Sequence, residues 1–391
     1  MTILRRLAAA LAAGAVAIAL LPATATVTSA APDPRAGTRV DWRAVTLKSP
    51  YPDAGAESRD IECIGRTCLI LGLIGDERSG APYLTTLTGR TSKTALISKV
   101  PGTTGRALSC PTTDWCMVVG SVYTKAPSDR TWAASYSGGK WTTHKTPTPT
   151  NGLKGQGYLS GVSCTSSTWC AAVGWYFDPD GNAQGLLLTW DGKSWTRVEK
   201  SATRARFIPA IDCVSPQHCV LVGSTQAGPA SIQIRRWTPS GWSRVAGAPA
   251  GTDGFTASVS CESMKSCLIT ARKDSETPVL LRTSNRTARK IALPNGPGRP
   301  FELRSVSCDP TGTCFAVGAV MQQANDRATS SIAQISPSDQ VTLSRPYRNF
   351  TQGSALMAID CDVRCVATGQ GASDADPFTT FALIQRPTPG R

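Results

Sequence analysis

The sequence predicts an all-β fold: a seven-bladed β-propeller with four strands per blade, one disulfide inside each blade, and a ring closed by the N-terminal strand. Three observations carry that expectation. Fourteen cysteines fall into seven close pairs, the pairs recur at the length of a blade, and the two ends of the repeated region complement each other.

The pairs are Cys63/Cys68, Cys110/Cys116, Cys164/Cys170, Cys213/Cys219, Cys261/Cys267, Cys308/Cys314 and Cys361/Cys365. Their first cysteines lie 47 to 54 residues apart, a span that suits four short strands and their turns. An aliphatic residue stands two places before each first cysteine, from Ile61 to Ile359. Directly before it stands a small or acidic polar residue: Glu62, Ser109, Ser163, Asp212, Ser260, Ser307 or Asp360. Four residues after the second cysteine comes Gly72, Gly120, Gly174, Gly223, Gly318 or Gly369, with Ala271 as the exception. The residues between are almost wholly apolar, as in Met117-Val118-Val119, which reads as a strand buried on both faces. Later in several repeats a glycine turn separates aromatic and β-branched runs, as in Leu186 to Val198, and reads as a hairpin. The last repeat stops after a third strand, Phe381 to Gln385, and the opening Arg39 to Val45 matches the missing fourth. Pairing them closes the ring and protects the strand edges.

Cysteines that flank a five-residue hairpin loop face one another at disulfide distance. Zinc would need four ligands in one place. Here the pairs belong to separate blades, and the chain has two histidines.

Residues 1–30 read as a secretory signal: Arg5 and Arg6, an apolar run from Leu7 to Leu21, and small residues at Thr28-Ser29-Ala30 before a cut after Ala30. The alternative, an uncleaved anchor, is short of the roughly 20 residues that span a bilayer. Residues 31–38 read as a flexible segment and 39–388 as one propeller, with strand 39–48 completing the last blade. The mature protein is expected to be secreted, extracellular, monomeric and without a membrane span. The full chain carries +14, and the signal removes two arginines and no acid, leaving +12. That charge favours anionic surfaces such as cell-wall polymers. The basic residues are scattered, so no specific nucleic-acid partner is expected.

The unit Val-Ser-Cys-x5-Cys-x-Ala-Val-Gly, seen at Val162–Gly174 and Val306–Gly318 and joined by Trp190–Trp195, resembles a group of exported bacterial cysteine-pair repeat proteins of uncharacterised function. The resemblance runs from Arg39 to Gln385 and implies a propeller but no activity. The turn Thr189–Trp195 also resembles the Asp-box of sialidase-type propellers, one residue shorter between Asp191 and Gly192.

No catalytic set emerges. His144 reads as a surface residue of an outer strand and His218 as a turn residue, so a histidine metal site or a Ser/His/Asp relay lacks its histidines. Asp178-Pro179-Asp180-Gly181-Asn182 reads as a connecting turn, with calcium binding as the alternative. No cofactor or metal is expected. The sharpest binding candidate lies where loops meet the channel. Four residues before the first cysteine stand Arg59, Arg106 and Arg304, in blades 1, 2 and 6. Two residues earlier stand Glu57, Tyr158, Phe207 and Glu302. Arginines at a funnel can grip a carboxylate or sulfate. The expected function is a non-catalytic binding module for an extracellular or envelope glycan, including an anionic one, or for a protein. The alternatives are a carbohydrate-active enzyme at the channel mouth, sialidase-like or a lyase, with Glu57, Asp60 and Glu302 as its acids, and a protein-interaction scaffold.

Overall fold

The computed structural model describes residues 40–49, 55–123, 129–147, 156–198, 205–225, 231–273, 277–295, 300, 302–322, 327–344, 350–373 and 379–386. The expected signal at 1–30 and the segment 31–38 lie outside the described residues.

The described residues form seven four-stranded antiparallel sheets, each a meander of consecutive strands except the last. The innermost strands are Ala56–Ile64, Thr103–Thr112, Gly157–Ser166, Phe207–Ser215, Thr252–Ser263, Glu302–Cys308 and Gly353–Cys361, which define blades 1 to 7. Each innermost strand packs beside the next, and the strand of blade 7 packs beside that of blade 1, so the ring closes. In blade 7 the outer strand is Trp42–Thr46, paired antiparallel with Thr379–Gln385, Trp42 opposite Gln385. The N-terminal strand therefore closes the ring as expected.

The core lies between blades. Leu69 and Leu71 of blade 1 pack with Leu108, Val118 and Trp132 of blade 2, and the same layering repeats around the ring. The second strand of each blade is covered on both sides, which is why its sequence lacks polar alternation; Met117, Val118 and Val119 are fully buried. Further out, indole rings meet across and within blades: Trp169 of blade 3 against Trp237 of blade 4 at 6.2 Å, and Trp190 against Trp195 at 5.6 Å.

All seven expected cysteine pairs are disulfides: Cys63–Cys68, Cys110–Cys116, Cys164–Cys170, Cys213–Cys219, Cys261–Cys267, Cys308–Cys314 and Cys361–Cys365. The second member of each pair opens the second strand and is buried in the packing between blades. Cys68, Cys116, Cys170, Cys219, Cys267, Cys314 and Cys365 are all at most 1% exposed. Their role is therefore structural. The hairpins are tighter than five open residues, which corrects the expected loop. The ladder runs past the cysteines, with Ser166 opposite Trp169, Ser215 opposite His218 and Ser263 opposite Ser266, so the turn proper holds two residues. One residue is bulged between cysteine and turn, as between Cys164 and Ser166. The cysteines still sit opposite each other: Cys63 faces Cys68, Cys213 faces Cys219, Cys261 faces Cys267 and Cys361 faces Cys365. The Cα atoms are 4.0 Å apart in Cys63–Cys68 and Cys361–Cys365, and 4.1 Å apart in Cys110–Cys116.

A second correction concerns His144, which is half-buried rather than on the surface. Its Nε2 lies 2.7 Å from Ser135 Oγ, its ring packs 4.5 Å from Trp190 of blade 3, and burial lowers its pKa.

Candidate binding site at the channel mouth

Besides any bulge beside the cysteine turn, each innermost strand slips register against the second strand at a place ahead of its first cysteine. The ladder steps from Ser58 to Asp60, skipping Arg59; from Gly105 to Ala107, skipping Arg106; and from Leu303 to Ser305, skipping Arg304. Ser160 and Met357 are skipped in the same way. In blades 4 and 5 the slips are wider, Phe207 to Ala210 and Asp253 to Ser258, and contain Pro209 and Ala257. The position four before the first cysteine is thus the bulged residue in five blades and lies inside the wider slip in the other two. A bulge takes its residue out of the ladder and re-aims the side chain. All seven of these residues line the rim of a channel cavity of about 390 Å³. The first cysteines Cys164 and Cys213 reach the wall of this cavity, whereas Cys68, Cys116, Cys219, Cys267 and Cys365 do not. The second cysteines thus brace the wall from behind.

The repeated glycine is the other half of the same device. The bulge brings the carbonyl of the residue two places earlier onto the second strand. A Cβ on Gly174 would lie 1.8 Å from the Tyr158 carbonyl oxygen, and one on Gly120 the same distance from that of Thr104. No side chain fits there. Ala271 is tolerated in the blade whose slip is longest, where the ladder passes from Arg272 to Thr270 without pairing Ala271 to the innermost strand.

At the far end of the innermost strand the polar residues before the first cysteines share a task. Each accepts a hydrogen bond from the backbone N–H of the first cysteine in the next blade. Ser109 Oγ accepts from Cys164 at 3.0 Å, Ser163 Oγ from Cys213 at 3.0 Å, Asp212 Oδ2 from Cys261 at 2.7 Å, and Ser260 Oγ from Cys308 at 3.3 Å. Ser307 Oγ accepts from Cys361 at 3.1 Å and Asp360 Oδ2 from Cys63 at 2.7 Å, across the closure; Glu62 accepts from Cys110. Innermost strands are sheet edges, and their outward N–H groups would otherwise lack a partner. Seven such bonds make a continuous belt around the channel floor.

The mouth holds the predicted charged residues, but none of the three arginines stands open. Arg59 pairs with Glu57 and with Glu77 at 3.3 Å, and Arg106 pairs with Glu77 at 2.8 Å. Arg304 and Arg272 both pair with Glu302, the former at 2.9 Å. Arg59 and Arg106 are thus brought together through Glu77, while Arg304 and Glu302 form a second group. Among the described residues no ion pair links the two groups. Glu77 comes from the loop joining the second and third strands of blade 1, where no repeat signal exists. Asp76 fixes that loop by accepting from the backbone N–H groups of Arg78 and Ser79, each at 2.8 Å.

Next to blade 2, blades 3 and 4 present rings. Tyr158 stacks on Trp175 with centroids 5.5 Å apart, and the edge of Phe177 lies 6.5 Å from Tyr158. Phe207 of blade 4 meets Trp175 at 5.5 Å. All four are partly exposed. The Tyr158 hydroxyl donates to Asp129 Oδ2 at 2.5 Å. Burial, then Asp129, holds this phenol protonated well above its ordinary range, and the charges of Arg106 and Glu77 are near enough to act on it. The mouth is therefore divided: ion pairs on one side, aromatic rings on the other.

No protein-family model and no curated protein matches the chain. Solved structures do match in fold. An ancestral GH74 enzyme superposes with a TM-score of 0.55 at 11% identity, over 90% of this chain and 52% of that one, so the chain spans about half its length. The phage phi92 endosialidase gives 0.53 at 8% identity, over 90% of this chain and 70% of that one. A Dyadobacter fermentans protein of unknown function gives 0.52 at 11% identity, over 89% of this chain and all of that one. At such identities the likeness is one of fold.

Four carboxyls line the channel below the mouth. Loss of hydration raises Asp60 from 3.8 to about 7 and Asp212 from 3.8 to about 6. Glu62 and Asp360 are raised by the same cause, Glu62 also by the charges of Asp360, Asp60 and Asp212. Elsewhere, the Asp178 loop is held internally: Asp178 Oδ1 accepts from Asn182 N at 2.8 Å and Asp180 N at 3.1 Å, and Oδ2 from Gln184 Nε2 at 2.9 Å. Asp191 likewise accepts from Lys193 N and Ser194 N, at 2.9 and 2.8 Å, as a turn-former. Glu262, Cys308 and Cys314 lie close enough to share a metal ion, but both sulfurs are committed to a disulfide.

Proposed function

We propose that the protein is an exported, non-catalytic binding propeller that takes a glycan at the mouth of its channel. The observation that carries this reading is the row of bulges, which aims one variable side chain per blade at the rim while the rest of the repeat stays constant. Arg59, Arg106, Arg304, Glu57, Glu302 and Tyr158 form the contact set. Ligand pockets combine apolar rings with a few placed polar groups, and this mouth has both. Seven disulfides suit an oxidising compartment and support the reading of residues 1–30 as an export signal.

The test is a screen of the secreted protein on glycans, cell-wall polymers and envelope proteins, beside an Arg59/Arg106/Arg304→Ala triple variant with unchanged melting temperature. Saturable binding lost in the variant is the expected result. Equal weak binding by both, abolished by salt, overturns the mouth as the site.

The enzyme reading is favoured by one contact, the Tyr158–Asp129 hydrogen bond beside Arg106. A phenol held protonated is a poor nucleophile, however, so the binding reading stands first. Hydrolysis of a fluorogenic sialoside, lost in Tyr158→Phe, would reverse that order.

A further inference from the structure

Glu77 occupies the place a ligand carboxylate would take. Its Oε1 lies 2.8 Å from Arg106 and 3.3 Å from Arg59, between the two guanidinium groups that an anionic sugar would have to bridge. Glu302 fills the same role toward Arg304 and Arg272. Below them, Asp60, Glu62, Asp212 and Asp360 face the same channel, and among the described residues none of the four has an ion-pair partner. An incoming anion would have to displace Glu77 or Glu302 from its guanidinium partners, and a like charge placed against either carboxylate is disfavoured.

What this side of the mouth offers instead, Arg59 and Arg106 against Glu57 and Glu77, is uncharged in sum but rich in donors and acceptors. Beside it stand the partly exposed rings of Tyr158, Trp175, Phe177 and Phe207. The two halves are adjacent, since Arg106 stands on the innermost strand of blade 2 and Tyr158 on that of blade 3, and these two strands pack side by side. A pyranose has matching halves: an apolar face of C–H groups, and a rim of hydroxyls that both donate and accept. Aromatic side chains with one polar end serve surfaces of that mixed kind. Charge-assisted hydrogen bonds from an existing ion pair can orient the hydroxyls without any net charge on the ligand.

We propose that the mouth binds an uncharged saccharide, with one sugar ring seated on the Tyr158–Trp175–Phe207 rings and its hydroxyls bonded to the Glu77–Arg106 pair. This rests on the glycan reading above and narrows its ligand class. Glu77 is the specificity residue: it provides hydroxyl contacts and excludes anions.

The experiment is calorimetric titration of the full secreted chain with equal-length probes: neutral glucan, mannan and xylan oligosaccharides against oligogalacturonate and sialyllactose. Wild type, Trp175→Ala and Glu77→Gln are compared, each checked for an unchanged melting temperature. The proposal predicts that a neutral probe binds at least tenfold tighter than any anionic one. Trp175→Ala should weaken that binding at least tenfold. Glu77→Gln should weaken the neutral probe and strengthen an anionic one. Preference for an anionic probe by wild type, or neutral binding indifferent to Trp175→Ala, overturns the proposal and leaves the glycan reading intact. No binding of any probe by folded wild type overturns both.

Discussion

The two ends of the innermost strand follow opposite rules. At the floor, seven positions carry only Ser, Asp or Glu, and each does the same thing, accepting the next blade's cysteine N–H. At the rim, the seven positions inside the register slips carry Arg, Arg, Ser, Pro, Ala, Arg and Met. The floor repeats because the belt is only as complete as its weakest joint. The rim varies because the bulge has already freed its residue from the ladder, so fold stability sets little constraint on it. Repetition marks scaffold here, and its breakdown marks the candidate site.

The contrast can be broken most severely at the device that joins the two ends. Gly174→Val places a side chain where a Cβ alone would lie 1.8 Å from the Tyr158 carbonyl oxygen. The bulge must then shift, and a loss of about 3 kcal/mol is expected. Ala271→Gly, at the one repeat where the glycine is already dispensed with, should cost no more than about 1 kcal/mol. Urea midpoints of the two variants check the difference; equal costs would remove the link between glycine and bulge.

Next is the floor. Asp360→Ala removes the acceptor of Cys63 N, where blade 7 meets blade 1, and of Ser307 Oγ of blade 6 at 3.0 Å. With two bonds to an ionisable group lost and an N–H orphaned, the expected cost is about 2–3 kcal/mol. Ser109→Ala, with one neutral bond, should lose about 1 kcal/mol. Thermal melts of the pair should preserve that order.

The floor also responds to pH. Asp60, at about 7, and Asp212, at about 6, both start from 3.8 in the unfolded chain. Between those values the folded protein keeps protons that the unfolded chain has lost. Their contribution is complete below about pH 4 and is lost as pH rises through 6 to 7. The urea midpoint should therefore be higher at pH 5 than at pH 8, and Asp60→Asn should flatten the slope. A midpoint that rises across the interval would show these carboxyls ionised in the native state.

The blade count, closure and disulfides were legible because each rests on local spacing: cysteine intervals, a glycine at fixed offset, a missing strand at one end supplied at the other. The turn inside each cysteine hairpin was less so, because the bulge that shortens it leaves the cysteine spacing unchanged. Arg59, Arg106 and Arg304 were also legible, as one column of the repeat. Their partners were not. Glu77 and Asp129 stand in loops that no repeat constrains, and a loop's contacts depend on its fold in space. The floor residues were visible as a pattern, but their partner is a backbone N–H in another blade, which has no sequence signature. Trp175 and Phe177 follow the repeat glycine at alternate positions, and antiparallel register places Trp175 opposite Tyr158. That signal was present and would have completed the aromatic side of the mouth.

The most direct test of the division between floor and rim is a paired measurement of melting temperature and neutral-oligosaccharide affinity for Asp360→Ala and Trp175→Ala. The account predicts that Asp360→Ala melts several degrees lower while its folded fraction binds within about twofold of wild type, and that Trp175→Ala melts as wild type does but binds at least tenfold more weakly. Loss of binding in Asp360→Ala at an unchanged melting temperature, with Trp175→Ala binding normally, would contradict it and move the site to the channel floor.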